Sequence, residues 1–170
     1  MKLELLRKQL NSGIFPHAYL FSGSDEAGKE TAIELILKHF FGESWNLNPD
    51  FMEIRNDPIT IEDVRALKSR AYSAPLVGNK NVFLVRSLEN LSREAAPALL
   101  KVLEEPPQSL IILAETKNRS SILPTLKSRF SQLIFAGVPR EAIEPTKEID
   151  SALWYFEKKT KKSPNQQNID

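Results

Sequence analysis

The stretch HAYLFSGSDEAGKETAIELIL, His17 to Leu37, decides the fold. An apolar run stops at Gly23, four residues lead to Gly28 and Lys29, and Ala32, Ile33, Ile36, Leu37 and Phe40 then recur on one helical face. Strand, glycine turn and helix in this order make a phosphate-binding loop. Glycines let backbone amides approach anionic oxygens, the lysine neutralises charge, and the helix N-terminus adds a partial positive charge. Gly23, Gly28 and Lys29 are therefore the candidate phosphate-facing residues. The last required position holds Glu30 where a working loop has Ser or Thr, whose hydroxyl ligates the nucleotide's magnesium. Thr31 is one residue late, and neighbouring helical residues point about 100° apart, so it does not substitute. The plain alternative is a strand-to-helix turn with a solvated lysine.

Outward from this stretch, strands and helices alternate. Leu3, Leu6 and Leu10 predict a short N-terminal helix ending near Gly13. DFMEIRN (50–56) reads as a second strand, and Thr60 with Asp63 forms a capping signature for a helix carrying Ile61, Val64 and Leu67 to about Tyr72. NVFLVRS (81–87) is a third strand, 92–105 a helix, SLIILAE (109–115) a fourth strand and SQLIFAG (131–137) a fifth. Pro97 inside the 92–105 helix removes a backbone hydrogen bond and crowds the preceding turn, so that helix is either kinked or begins later. Near-continuous apolar strands separated by helices predict an α/β fold, three layers around a five-stranded parallel sheet.

A C-terminal helical extension is expected within 139–160, on IDSALWYFEKK, and a tail without enough apolar content to fold alone at 161–170. The chain has 170 residues, 41% hydrophobic and 26% charged, which fits one folded domain plus a short extension. A net charge of +1 advertises neither nucleic acid nor an anionic membrane. With no cysteine, disulfides, thiol nucleophiles and cysteine-ligated zinc are excluded. No apolar run is long enough for a membrane span and no signal peptide is evident, so a cytoplasmic location is expected.

Nucleotide hydrolysis makes a second demand. An acidic residue at the end of a neighbouring strand must hold magnesium, with a carboxylate near it to position the attacking water. The candidate strand ends VFLVRSLEN, with Arg86 and Ser87 where two carboxylates belong. Glu89 lies beyond the strand end and needs an unusual backbone path to reach the phosphates. Two metal-handling features are missing together, so the loop is expected to bind nucleotide weakly or not at all, and no metal ligand set is assigned. The competing reading is an autonomous ATPase in which Glu30 or Glu89 improvises as a metal group.

HAYLFSG, ITIEDVRALKSRAYSAPLVGNKNVFLV, SREAAPALLKVLEEPP (92–107), LIILAET (110–116) and ILPTLKSRF (122–130) together resemble the AAA+ clamp-loader family, from about Leu5 to Val138. That family includes the delta prime and gamma/tau subunits of bacterial DNA polymerase III and replication factor C. The resemblance implies an AAA+ domain over 1–138 with strand order 5-1-4-3-2. It also implies a place in a ring with gamma/tau-like ATPase and delta subunits, acting indirectly on a sliding clamp and primed DNA. Delta prime members commonly lack a working ATP site, so no cofactor is required and ATP or phosphate binding is weak. The family's Ser-Arg-Cys motif sends an arginine into the neighbouring subunit's ATP site; here it is Ser128, Arg129 and Phe130, which makes Arg129 the candidate catalytic residue in trans. Phe130 in place of cysteine alters the packing behind that arginine.

The sequence departs from its relatives in two further ways. GESWNLNP stands where many relatives carry a four-cysteine zinc module, so no zinc is expected. The family's lid and helical collar do not fit in 170 residues, which leaves a shortened chain or a reduced homologue. Thr116 and Asn118 fall where the family places a polar sensor, and a turn or cap reading serves them equally well. Lys68, Arg70, Lys80 and Arg93 are candidates for DNA backbone contact by residue type only. A stand-alone replication accessory module is the remaining alternative.

Overall fold

The computed structural model describes residues 2–136, and the predicted 139–160 helix and 161–170 tail lie outside the described residues. The elements run α1 (Lys2–Ser12), β1 (Ala18–Ser22), α2 (Glu26–Phe41), β2 (Phe51–Ile54), α3 (Ile61–Ala71), β3 (Asn81–Val85), α4 (Ala95–Glu104), β4 (Leu110–Thr116), α5 (Pro124–Lys127) and β5 (Ser131–Ile134). All strand pairs are parallel, in the order β2-β3-β4-β1-β5, which is the expected 5-1-4-3-2 read from the other edge. No helix among the described residues is long and apolar enough to cross a membrane.

The central strands β1 and β3 are buried along their whole length, as their uninterrupted apolar runs require. Alternate side chains feed two cores. On one face Leu20, Phe83, Val85 and Ile112 pack against Val64 and Leu67 of α3 and Leu99, Val102 and Leu103 of α4. On the other, Tyr19, Phe21, Leu84 and Leu113 meet Leu6 and Leu10 of α1 and Ile33, Ile36 and Leu37 of α2. The sheet is therefore the middle of three layers, and its C-terminal strand ends form the crevice in which such folds place their chemistry.

Local chemistry sets the helix ends. Thr60 and Asp63 form a complete capping box at α3. The chain turns into α4 from Ser92, whose Oγ and carbonyl accept from Ala95 N, but the helix proper begins at Ala95. Pro97 thus lies in the first turn, where its missing amide has no helical partner to lose, and the helix begins later than the 92 start read from sequence. Helix α2 begins at Glu26, earlier than the expected Gly28, because Asp25 caps it. The fifth strand stops at Ile134, short of the expected 137.

Candidate functional site

Between β1 and α2 the loop carries the fold expected of a phosphate cradle, but its amides are bonded within the protein. Gly23 N donates to Thr116 O, Asp25 N to Phe135 O, Glu26 N to Ser24 O and Lys29 N to Asp25 O, all at 3.1–3.3 Å. Gly28 N donates to the Asp25 carboxylate at 3.0 Å. Asp25 thus sets a carboxylate at the N-terminus of α2, where a phosphate loop receives its anion. Phe135, just beyond β5, closes over the same turn: Gly23 has φ +119°, and a Cβ there would run into the Phe135 carbonyl. Only glycine fits this approach.

Lys29 is not solvated, contrary to the plain alternative considered from sequence: it is 2% exposed, and its Nζ lies 3.4 Å from Thr116 O at the end of β4. The loop therefore keeps its lysine against the sheet. Thr116 is itself buried, and its hydroxyl accepts from Asn118 N, while the Asn118 side chain accepts from Ser120 N and caps the turn Arg119–Ser121. The cap reading of Asn118 is the one the geometry contains.

Glu30 and Arg86, read from sequence as two separate losses, are bonded to each other. The Arg86 fork grips both Glu30 oxygens at 2.6 and 3.0 Å, its Nε lies 2.7 Å from Glu53, and Nη1 lies 3.0 Å from Glu115. These residues come from the start of α2 and the C-terminal ends of β2, β3 and β4, so the guanidinium sits in the crevice where this fold class handles a cation. Its side chain is 13% exposed. Burial works against its charge, but the hydrogen bonds it donates to Glu30 and Glu53 and the nearby Glu115 charge outweigh that, so the Arg86 pKa rises and the group is always a cation. Its hydrogen bond holds the Glu30 pKa below the ordinary carboxylate value. Arg55 adds a second cation on Glu53 at 2.8 Å.

Glu89 does not reach this cluster as a free acid. Ser87 takes a left-handed φ of +48° at the end of β3, sending the chain into a 3₁₀ turn, Leu88–Asn90. There the Glu89 carboxylate accepts from Lys117 N at 3.2 Å. Lys117 in turn pairs with Glu26 at 2.9 Å, tying the β4 end to the start of α2.

Arg129 lies apart from the loop, on a turn between α5 and β5. Its backbone is anchored on both sides: Leu126 and Phe130 are buried in the core that also holds Leu99 and Leu103. Phe130, 5% exposed, is thus the anchor beneath the arginine. Half exposed, the guanidinium makes one ion pair among the described residues, from Nη2 to Glu104 at 3.0 Å.

Of the basic residues considered for nucleic acid, Arg70 bonds Pro49 O and Lys80 bonds Gln108 O at 2.7 Å, so both brace loops. Sequence reading missed the buried Asp50, whose carboxylate accepts from Leu76, Val77 and Gly78 amides at 2.6–2.9 Å. The pinned loop leaves Leu76 75% and Val77 73% exposed. Asp25 was also missed, although an Asp three residues before Gly28 is an N-cap signal. In the sequence Arg86 and Glu30 stand out as departures from a nucleotide site, Glu30 also as an improvised metal group; their opposite signs at neighbouring places in the fold are the clue to the pair.

Comparison with known proteins follows the same lines. A protein-family model described as DNA polymerase III, delta subunit, matches residues 1–139. The chain is 29% identical over 152 residues to the DNA polymerase III subunit gamma/tau of Mycobacterium bovis, covering 76% of this chain and 26% of that one. It is 28% identical over 161 residues to the DNA polymerase III subunit delta' of Bacillus subtilis, covering 84% and 49%. Among solved structures, a DNA polymerase III gamma subunit-related protein from Thermotoga maritima superposes with a TM-score of 0.63 at 27% identity, over 92% of this chain and 52% of its own. The chain thus spans about a quarter of the gamma/tau relative and about half of the delta' one.

Proposed function

Because the chain belongs to the DNA polymerase III delta subunit family, matched over residues 1–139, we propose that it acts as a non-hydrolysing, delta prime-like clamp-loader subunit. In this reading it sits in the cytoplasm beside gamma/tau-like ATPase and delta subunits, and supports sliding-clamp loading onto primed DNA without carrying out chemistry at its own loop. The observation that carries the reading is the Arg86 guanidinium gripped by Glu30, Glu53 and Glu115.

A magnesium nucleotide does not fit the residues present. A second cation beside Arg86 is repelled, the Glu30 and Glu115 carboxylates are already neutralised, and the Asp25 carboxylate opposes a phosphate at the loop. Gly23, Gly28 and Lys29 keep the shape of the cradle, with their hydrogen bonds turned inward. ATP binding is weak or absent on this reading, and no zinc or other cofactor is needed.

What the subunit supplies is Arg129. Presented to the ATP site of an adjacent subunit, a guanidinium stabilises charge on the transferring phosphoryl group, an effect worth about 10³ to 10⁵ in rate where an arginine acts in trans. The half-exposed side chain on a core-anchored turn supports this role. Two assays test the reading together. The isolated chain should show no magnesium-dependent ATP turnover; turnover abolished by Lys29→Ala would overturn the non-hydrolysing assignment. Added to its cognate gamma-type subunits and clamp, the chain should stimulate hydrolysis, and Arg129→Ala should remove that stimulation.

A further inference from the structure

Glu104 stands at the unfavourable pole of its helix. The last carbonyls of α4 carry partial negative charge, which disfavours a carboxylate there, and Glu105 follows at once as the C-cap. The position is fixed from both sides: Leu103 is buried just before it, and Tyr72 Oη donates to Glu105 O at 2.8 Å ahead of Pro106 and Pro107. Stability alone does not account for the placement. Both members of the Glu104–Arg129 pair are nearly half exposed, at 43% and 47%, and exposed pairs contribute little to folding.

The way the pair is made points to another role. Glu104 takes one nitrogen of Arg129; among the described residues, Nε and Nη1 have no hydrogen-bond partner. A bidentate grip, such as the one Glu30 applies to Arg86, would commit the fork. A single bond instead restricts the long side chain while leaving donors for an incoming oxyanion. The backbone beneath is held by Arg129 N donating to Leu126 O at 3.0 Å, so the remaining freedom lies in the side chain, which Glu104 limits.

We infer that Glu104 is a positioning residue for Arg129: it holds the guanidinium at the domain edge, one donor bonded and the others available to a phosphoryl oxygen on a neighbouring ATPase subunit. The inference rests on the trans role proposed for Arg129 and names the residue that orients it. Glu104 itself touches no phosphate.

The test is ATP hydrolysis by the complex reconstituted with the cognate gamma-type subunits, measured against ATP concentration for the unaltered protein, Glu104→Ala, Glu104→Gln, Arg129→Ala and the Glu104→Ala/Arg129→Ala pair. Glu104→Ala should lower kcat about two- to fivefold, the range an exposed ion pair allows, with KM unchanged because the lost contact matters in the transition state. Glu104→Gln keeps an acceptor and should recover part of the loss. In the Arg129→Ala background, Glu104→Ala should change nothing. Equal losses in both backgrounds, or no loss while Arg129→Ala slows the complex, would overturn the positioning role and leave the trans arginine standing. A rate unmoved by Arg129→Ala would remove both.

Discussion

The glycine-loop crevice and the Arg129 edge are built from the same kinds of residue, yet their charges are used in opposite ways. In the crevice Arg86 is shared among three carboxylates, Lys29 is buried against Thr116, and the loop amides donate to the protein itself. At the edge Arg129 meets one carboxylate among the described residues and keeps about half its surface in solvent. An arginine whose donors are committed is a structural cation; one with donors to spare can meet a partner's anion. The motif that looks like a nucleotide site is closed on itself, and the chemistry proposed for the chain lies where the sequence shows only a three-residue SRF.

The most disruptive way to break this comparison is to remove the anchor under the edge. Phe130→Ala empties a site shared with Leu99, Leu103 and Leu126, and should lower stability by about 3–4 kcal/mol in urea unfolding. Phe130→Leu keeps most of the volume and should retain both folding and stimulation of the partner ATPase; a folded Phe130→Leu protein with stimulation lost would show that the ring itself aims the arginine. Next in size is the crevice. Arg86→Ala leaves Glu30, Glu53 and Glu115 facing one another without their shared cation and should cost about 2–3 kcal/mol, less than a fully buried pair because Glu30 is partly solvated. It should gain no ATPase activity, since the Asp25 carboxylate still caps the loop helix where a phosphate would bind. An Arg86→Ala protein as stable as the original would mean that the ion cluster contributes nothing to the fold.

The sequence makes the sheet and its order legible because hydrophobic period changes at each boundary, from the continuous runs of β1 and β3 to the three-and-four spacing of α2 and α3. The capping box of Thr60 and Asp63 is local chemistry and so could be read directly. Helix α5 was missed because its four residues, PTLK, are too short to show a period. The α2 start was misplaced for a different reason: the phosphate motif drew attention to Gly28, while Asp25 was already capping the helix. At the site, the type of each residue was visible but the pairing was not. Glu30 and Arg86 are 56 positions apart, and only the strand order that sets β4 between β3 and β1 brings them into one crevice. Lys29 reads as an exposed cation in any sequence, and its burial depends on where Thr116 ends β4.

The smallest predicted effect lies in the crevice and depends on pH. Glu30 has its folded pKa lowered by the Arg86 hydrogen bond, so its contribution is present above the unfolded value of about 4.3 and is lost as pH falls through the lower folded value. With Glu30 more than half exposed, this loss should stay within about 1 kcal/mol. Asp50 and Asp63 act in the same direction. Burial pushes the Asp50 carboxyl up, but the Gly78, Leu76 and Val77 amides hold it below its ordinary value; the Thr60 amide does the same for Asp63. Both are retained in Arg86→Ala, so subtracting the two pH profiles isolates the crevice. Without the guanidinium, Glu30 loses the hydrogen bond that lowers its pKa, so the stability that the intact protein loses on acidification is already missing from the variant. The cost of Arg86→Ala, measured by urea unfolding at successive pH values, should therefore shrink between about pH 5 and pH 3. A cost of Arg86→Ala that does not vary over this range would show that the crevice carboxylates are not held by that cation, and the contrast between the closed crevice and the open edge would fail.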